Sequence, residues 1–269
     1  MKSKKLLFVL PFLAVSAMLT SCAGNPYKGN YTEVTDKEAV TEKLNSLAEA
    51  EEETKTGYET LLNGSISMSY GSSEDTSYKV SCGFTSNGIV DNSGDSSALY
   101  QKLSIDAKLE GVQKGTVKLS AEMWIMETSY LNYSYEAKSD NGNVSYNGKV
   151  KGDNASSSLP LDVSSYLGMI EGKDEIDLDA LNSILSTEEV KIYADGENKY
   201  KFEYEEGTAK VTMYLLINKD NTYQILAEVP ELKTSVLGMM DMTMSYTVEV
   251  KPTSKKVTAP ADADSYEQK

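Results

Sequence analysis

The sequence predicts a mainly β protein of the α+β class, built on one large antiparallel sheet with helices on one side. About eleven segments alternate apolar and polar residues with period two, which indicates strands that bury one face and expose the other to water. One segment near the N-terminus carries apolar residues at helical spacing, and two short segments in mid-chain have the same character. We therefore expect strands to dominate, with three helices beside them.

The first helix is predicted from the residues around position 36. Thr35-Asp36-Lys37-Glu38 combines a capping side chain with an early acid, which is typical of a helix start. The apolar residues that follow form one stripe: Val40, Leu44, Leu47 and Ala48. The acidic run from Glu49 to Glu53 is interpreted as a solvated surface, and we expect the helix end to fray there because acids oppose the helix dipole.

From Gly57 onward the period changes to two. The alternating segments lie at 66–70, 78–84, 103–109, 117–125, 131–137, 144–150, 190–192, 200–204, 211–217, 223–229 and 240–250. Asp140-Asn141-Gly142-Asn143 is typical of a hairpin turn, and Lys219-Asp220-Asn221 is a second turn between strands. Six strands thus precede a break in the pattern and five follow it.

The break itself contains the two further helices. Residues 154–159 are a Ser-rich loop, and Pro160 can open a helix. Leu161–Ile170 and Leu178–Leu185 are predicted as short helices. Asp174, Asp177 and Asp179 are interpreted as acids at a helix start.

Simple dimensions show that three helices cannot cover such a sheet. At about 4.8 Å per strand, eleven strands make a sheet roughly 50 Å wide. A packed helix covers about 10 Å, so three cover about 30 Å. The remaining apolar surface requires that the sheet curl around the helices, fold on itself as a sandwich, or enclose a ligand.

The start of the chain is a secretory signal. Met1–Lys5 is a basic head, the apolar run from Leu6 to Ala17 is too short for a stable spanning helix, and Pro11 disfavours that alternative further. Leu19-Thr20-Ser21-Cys22 resembles the lipobox of bacterial lipoproteins, whereas a plain cleaved signal would end in an A-x-A-like pattern. The resemblance implies that Cys22 becomes the first residue and carries a diacylglycerol thioether.

The expected organisation follows from that assignment. We predict a lipoprotein signal peptide over 1–21, a lipid-anchored tether over 22–34, a single domain over 35–260 and a polar tail over 261–269. The protein is then expected on the extracytoplasmic face of the bacterial cell membrane, held there by the diacylglycerol on Cys22.

Composition excludes several classes of function. The net charge is −15, and it becomes −18 when Lys2, Lys4 and Lys5 are removed with the signal peptide. The chain also has no arginine. An acidic chain without arginine is disfavoured as a partner of nucleic acid. The chain also has no histidine, which removes a Ser-His-Asp triad and most zinc sites. We predict no enzymatic activity and no cofactor. Paired carboxylates acting on carbohydrate stay open, because 41 acids place some pair close together in any fold.

No metal site is predicted. Asp91-Asn92-Ser93-Gly94-Asp95 resembles a fragment of a calcium loop but lacks the closing bidentate Glu, so a polar hairpin turn is the preferred interpretation. Cys82 is left as one thiol once Cys22 is lipidated, and it is interpreted as a small hydrophobe on a strand. Trp124 points away from the main apolar face, where it marks either a partner contact or packing under a loop.

Local patterns in the last third of the chain resemble a known superfamily. Met213-Tyr214-Leu215-Leu216-Ile217-Asn218-Lys219-Asp220, the strand Met242–Val250 and the end Val257-Thr258-Ala259-Pro260 are similar to those of the LolA/LppX-like (LprG-type) lipoproteins. The resemblance implies a curved half-barrel sheet, with the N-terminal and mid-chain helices across its concave face. It also implies a hydrophobic cavity that holds lipid or acylated cargo.

Methionine and tyrosine usage predicts where such a cavity would lie, because Met adapts to varied apolar surfaces and Tyr adds a polar tip to an apolar ring. The candidate cavity residues lie on the apolar faces of the strands: Met68, Met123, Met213, Met240, Met242, Met244 and Tyr246. The predicted function is binding of a hydrophobic ligand by a membrane-anchored lipoprotein. The alternative is a structural or protein-interaction envelope lipoprotein without a ligand cavity.

Overall fold

The computed structural model describes residues 25–54, 57–70, 77–94, 96–153, 155, 190–206, 209–236 and 240–269. The eleven predicted strands are all present, and two edge strands of two residues each are added. The elements are β1 (Thr32–Glu33), α1 (Lys37–Thr54), β2 (Gly57–Tyr70), β3 (Tyr78–Asp91), β4 (Ala98–Gly111), β5 (Gly115–Ile125), β6 (Tyr130–Ser139), β7 (Gly142–Lys151), β8 (Lys191–Ala194), β9 (Lys199–Glu206), β10 (Ala209–Ile217), β11 (Tyr223–Val236), β12 (Met240–Thr253) and β13 (Glu267–Gln268).

All thirteen strands belong to one sheet, in the order β1-β8-β9-β10-β11-β12-β2-β3-β4-β5-β6-β7-β13. Neighbours are antiparallel, except that β13 runs parallel to β7. Strands β2–β7 and β8–β12 are two meanders, and the long pair β12–β2 joins them. The first strand of one half therefore lies beside the last strand of the other, and the prediction of a mainly β chain on a large antiparallel sheet is confirmed.

The register carries one apolar face across the sheet. Val248 lies opposite Leu62 on the pair β12–β2, and Phe84 lies opposite Ile105 on the pair β3–β4. One register shift occurs, between Val229 and Leu232 on β11, where Pro230 has no N–H for the ladder. Because a bulge adds a residue, it returns Leu232 to the same face as Val229.

Helix α1 contributes side chains to the core on this face. The Asp36 carboxylate accepts a hydrogen bond from the backbone N–H of Ala39 at 3.2 Å, which caps the first turn. Val40, Leu44 and Leu47 are all buried in one core with strands β2 and β8–β12. Within the described residues, α1 is the one α-helix, and no helix is long and apolar enough to cross a membrane.

A second core lies on the same face of β4–β7. Its buried residues are Leu103, Leu119, Ala121, Met123, Leu131, Val150 and Ala155. The helices predicted at 161–170 and 178–185 lie outside the described residues, as does Cys22. The apolar side of the sheet is therefore described for its strands and for α1.

Both predicted turns are confirmed. β6 and β7 are joined through Asp140 and Asn141, and Gly142 follows with a φ of 133° that favours glycine. The turn between β10 and β11 places Asn221 at a φ of 63°, a left-handed conformation that Asn tolerates. The Asn218 N–H donates to the Thr222 carbonyl at 2.7 Å and closes that turn.

The described ends of the chain pack on the polar face of the sheet. Tyr27, in the segment predicted as a tether, is 6 % exposed, lies 6.0 Å from the Tyr214 ring and donates a hydrogen bond to the Glu249 carboxylate at 3.2 Å. Tyr266, in the segment predicted as a polar tail, is 4 % exposed. Aromatic burial thus holds both ends against the sheet.

Candidate apolar binding face

Exposure of the apolar face increases along the strands. Near the end of β2 that carries Tyr58 and Leu62 the side chains are buried, whereas Met68 is half-buried and Tyr70 is 49 % exposed. The same change occurs along β3–β7, β11 and β12 toward the hairpin connections at that end of the sheet. We call this part the distal apolar face; it comprises Ile66, Met68, Tyr70, Val80, Cys82, Leu109, Val117, Val144, Tyr146, Leu232, Met242 and Met244.

Three of the predicted cavity residues come together on this surface, and the backbone of a fourth lies in line with them. Met242 lies directly opposite Met68, and Met244 opposite Ile66, on the pair β12–β2. The register places the backbone of Met240 opposite Tyr70. Opposite residues on antiparallel strands have Cβ atoms about 4.5–5.5 Å apart, so these positions form one patch.

The other three predicted cavity residues lie in the packed cores. Met213 and Tyr246 are 4 % and 8 % exposed in the core around α1, and Met123 is 5 % exposed in the core of β4–β7. Met213 is on β10 and Met123 is on β5, on opposite sides of the β12–β2 pair. Tyr246 is two residues from Met244 on β12, and Met244 itself packs against the core around α1.

Sequence reasoning missed two strongly exposed members of the face, both on β7. Val144 and Tyr146 on β7 are 45 % and 53 % exposed, and the rings of Tyr146 and Tyr135 stack with centroids 6.1 Å apart. Alternation along 144–150 correctly places both residues on the apolar side. It carries no sign that β7 is next to the edge of the sheet, where less protein covers them.

The distal apolar face has a chemical character that suits varied apolar ligands. Met side chains are flexible and polarizable, and Tyr rings present an apolar surface with a polar tip. Contiguous apolar surface in water is unfavourable, and in folded proteins it commonly marks a binding site. The arrangement can therefore bind apolar groups.

Cys82 belongs to this face, and its setting gives the thiol low reactivity. The thiol is free and half-buried, and burial together with the nearby Asp106 carboxylate raises its pKa above the ordinary value. Since the thiolate is the reactive form, a raised pKa leaves the group protonated at neutral pH. The interpretation of Cys82 as a small hydrophobe agrees with this setting.

The loop interpreted as a hairpin turn rather than a calcium site connects β3 to β4. The Asp91 carboxylate accepts hydrogen bonds from the backbone N–H of Ser93 and of Val257, both at 3.1 Å, and lies 3.5 Å from the Lys256 ammonium. The Ser93 hydroxyl also donates a hydrogen bond to this carboxylate, and that bond is the largest cause that lowers the pKa of Asp91 below its ordinary value. The backbone hydrogen bonds and the Lys256 ammonium lower it further. Among the described residues no group of three or more His, Cys, Asp or Glu side chains could hold a metal ion.

Trp124 packs under the C-terminal segment. Its ring centroid lies 5.2 Å from Tyr100 and 6.4 Å from Tyr266, and Tyr266 also contacts Tyr130 at 5.5 Å. Burial of the Tyr266 ring raises the pKa of its phenol to about 12. Of the two interpretations of Trp124, packing under a returning segment is confirmed.

The polar face of the sheet is solvated and carries paired charges. Lys102 and Glu122 form an ion pair at 2.7 Å, and Tyr100 donates to the same carboxylate at 3.4 Å. The ammonium hydrogen bond, before all other causes, lowers the pKa of Glu122. Such exposed pairs contribute about 0–1 kcal/mol each, so they keep this face soluble more than they hold the fold.

Comparison with known proteins gives distant likenesses of structure. No family model matches the chain, and no curated protein matches it. The translocator domain of the autotransporter NalP from Neisseria meningitidis is similar at a TM-score of 0.27 and 7 % identity, with 81 % of this chain and 96 % of that chain covered. A DUF1329 family protein from Desulfovibrio piger is similar at a TM-score of 0.20 and 12 % identity, with 86 % and 97 % covered. At these TM-scores neither likeness bears on fold or function.

Proposed function

We propose that this protein is an extracytoplasmic bacterial lipoprotein that binds a hydrophobic ligand, a lipid or an acylated molecule, on the distal apolar face. The observation that carries the proposal is the change of exposure along the strands. The same face that is sealed at Leu62 and Val248 becomes half-open at Met68 and Met242, and the open part is as apolar as the sealed part. An apolar ligand would remove that surface from water.

We propose further that the sheet is a half-barrel and that the segments at 161–170 and 178–185 are helices above its concave face. The resemblance to LolA/LppX-like lipoproteins supports this arrangement, and so does the width of the sheet. Thirteen strands span about 60 Å at the usual spacing, and α1 covers about 10 Å of that width. A cavity between the strands and these helices would then be lined by the Met68–Met242 patch.

Anchoring through Cys22 is tested by replacing the thiol. Cys22→Ser removes the atom that forms the thioether, so the protein should leave the membrane fraction and accumulate as the unmodified precursor. Mass spectrometry of the N-terminal peptide identifies the diacylglycerol adduct in the unaltered protein. A Cys22→Ser chain of mature size that stays in the membrane would show that Cys22 is not the anchor.

Ligand binding is tested with a fluorescent fatty acid and with lipid competitors. The chain is produced from Ala23 onward without detergent, and circular dichroism establishes that it is folded. Met242→Glu places a charge on the distal apolar face opposite Met68, and Thr243→Glu places the same charge one residue further, on the polar face. The first variant should weaken binding about tenfold or more, because the fatty-acid chain would meet an unpaired charge; the second should bind as the unaltered chain does.

Melting curves separate loss of binding from loss of fold. Met242 is half-buried, so its variant should melt close to the unaltered chain. If the unaltered, folded chain binds neither the probe nor any lipid, the ligand hypothesis fails and the envelope-interaction alternative takes its place. Equal loss in both variants would place the binding surface elsewhere.

A further inference from the structure

The N-terminal segment, residues 25–34, starts on the polar face of the sheet. The Tyr27 ring lies 6.0 Å from the ring of Tyr214 on β10, and the Tyr27 hydroxyl donates a hydrogen bond to the Glu249 carboxylate on β12 at 3.2 Å. The register places Leu226 of β11 between these two residues, on the polar side. Leu226 is nonetheless only 7 % exposed. Tyr27 therefore bridges over an apolar side chain, and burial of that side chain stabilises the docked segment.

The segment stays bound from Tyr27 to the edge of the sheet. The Tyr31 hydroxyl donates to the Tyr27 carbonyl at 2.8 Å, and the Tyr31 ring lies 6.1 Å from that of Tyr214. Strand β1 then pairs with β8 at the edge, and the Val34 N–H donates to the Ile192 carbonyl at 2.8 Å. Helix α1 follows with its buried residues in the core on the apolar face, so the segment passes round this edge. Tyr27 is thus a fixed point of the chain on the polar face.

The chain between this fixed point and the predicted anchor is short. Tyr27 is five positions after Cys22, the residue proposed to carry the diacylglycerol. Five residues of fully extended chain span at most about 18 Å. In the anchored protein, Tyr27 and the polar face beneath it therefore lie within about 18 Å of the bilayer interface.

Every route from Tyr27 to the apolar side of the sheet is longer than that. The nearer edge, at β1, lies four strands from β11, which is about 19 Å at the usual strand spacing. The nearer end of β12, at Thr253, lies four residues beyond Glu249, or about 14 Å, and the sheet itself is about 10 Å thick. Helix α1 adds a further layer of about 10 Å on the apolar side. Five residues therefore cannot connect Tyr27 to a bilayer that lies against the apolar side.

We propose that the polar face beneath the N-terminal segment is turned toward the anchoring bilayer, and that the distal apolar face opens away from it into the aqueous compartment. This inference rests on the lipid anchor of the proposed function and adds the direction in which the ligand site is open. A ligand on the distal apolar face then exchanges with the aqueous phase or with a partner in it. It does not pass sideways from the bilayer that holds the anchor.

The charges beside the segment suit a hydrated surface. Lys201 pairs with Glu203 at 3.1 Å, and Lys251 lies 4.0 Å from Glu249. Ionised side chains are costly in hydrocarbon and stay in the hydrated headgroup layer. The polar face is therefore expected to lie near the headgroups without entering the bilayer, and the acyl chains on Cys22 supply the attachment.

Energy transfer to the membrane tests the orientation. The acylated chain carrying Cys82→Ala is reconstituted into phosphatidylcholine vesicles with an acceptor dye on the lipid headgroups. A donor dye is attached at Lys251→Cys, exposed on the polar face, or at Tyr70→Cys, exposed on the apolar face and about 37 Å further along the strands. Transfer should be at least about twofold stronger from Lys251→Cys, because Tyr70 lies on the far side of a sheet about 10 Å thick. Equal transfer from both positions, or stronger transfer from Tyr70→Cys, would overturn the proposal.

Substitution of Tyr27 tests whether the docked segment sets the orientation. Tyr27→Ala removes the ring that covers Leu226, so the free chain lengthens from five residues to ten, up to Thr32, and its reach grows to about 35 Å. That reach exceeds the routes round the sheet, so the difference between the two dye positions should shrink. Tyr27→Phe keeps the ring and should keep the difference. An insertion of ten Gly and Ser residues after Gly24 should act as Tyr27→Ala does, without altering a contact of the sheet. An undiminished difference in the insertion variant would overturn the proposal.

Cys22→Ser separates failure of the anchor from failure of the orientation. Without the acyl chains, neither dye position should show transfer to the vesicles. Transfer as strong as that of the acylated chain would contradict the lipid anchor, and with it the proposed function. Equal transfer from Lys251→Cys and Tyr70→Cys in a chain whose attachment depends on Cys22 would overturn the orientation alone.

Discussion

Tyr266→Ala should release the C-terminal segment from the sheet and uncover the single tryptophan. The Tyr266 ring is 4 % exposed, lies edge-on to Trp124 at 6.4 Å and edge-on to Tyr130 at 5.5 Å. The other contacts of the segment are few: the Lys149–Asp262 ion pair, a Lys151 hydrogen bond to the Ala263 carbonyl at 3.2 Å, and the two-residue strand β13. The aromatic ring is therefore expected to provide most of the docking energy.

The size of the effect can be worked from these contacts. Truncation of a buried aromatic side chain to Ala costs about 3–5 kcal/mol, including the aromatic contacts that it loses. The exposed ion pair contributes about 0–1 kcal/mol and cannot hold the segment alone. We expect a loss of about 3 kcal/mol in the free energy of unfolding. The melting temperature should fall by roughly 6–12 °C, since each kcal/mol corresponds to about 2–4 °C at this size.

Fluorescence gives a direct assay, because Trp124 is the one tryptophan of the chain. In Tyr266→Ala its emission should shift to longer wavelength and its quenching by acrylamide should increase at temperatures well below the melt. Tyr266→Phe keeps the ring and is the matched control; its emission should match the unaltered chain. Chemical denaturation followed by circular dichroism gives the free energy of unfolding independently.

Two results would refute the reasoning. If Tyr266→Ala leaves Trp124 emission and quenching unchanged, the C-terminal segment does not cover that ring. If Tyr266→Phe is as damaging as Tyr266→Ala, the phenol hydroxyl and not the buried ring holds the segment.

Three further predictions concern the sheet and its core. Leu44→Ala should lower the free energy of unfolding by about 2–5 kcal/mol in urea titrations, whereas exposed Glu42→Ala on the same helix should change it by less than about 0.5 kcal/mol. Gly64→Ala should cost about 1–3 kcal/mol because the new methyl meets the Phe84 ring opposite it, and adding Phe84→Leu should recover part of that loss; no recovery would contradict the cause. Burial raises the pKa of Tyr246 to about 12, above the ordinary value of 10, so the folded state keeps this proton longer. The contribution of this proton to the free energy of unfolding is complete below pH 10 and is lost as the pH rises toward 12. Urea titrations at pH 9 and pH 11 should show a lower free energy of unfolding at pH 11, and Tyr246→Phe should make that difference smaller.

Much of the fold was accessible from the sequence. The stripe Val40, Leu44 and Leu47, the cap at Asp36 and the two turns were each predicted from a few adjacent residues, and each is confirmed. Such features depend on backbone propensity and side-chain period, which act over one or two turns of chain. The same local information correctly placed Met68 and Met242 on the apolar side of their strands.

The candidate site was accessible only in part. Alternation treats Met213 and Met242 alike, since both are apolar residues on apolar faces. The structure separates the two residues by burial. Met213 is buried in the core beside α1, whereas Met242 is half-buried in the part of β12 that extends beyond that core. That difference depends on the lengths of neighbouring strands and on where the helix lies, which are long-range properties.

Local chemistry in the chain is enough to specify strands, turns, the first helix and the side of each strand that avoids water, because period and turn preference reside in neighbouring residues. Which strands lie next to each other in the sheet is not specified by such local chemistry. The pairing of β12 with β2, the pairing of β13 with β7 and the packing of Tyr266 over Trp124 each join residues far apart in sequence. A period of two indicates which face of a strand is apolar, but it does not indicate which strand lies beside it. The neighbours are determined by the packing of whole faces, which exists only once the chain has folded.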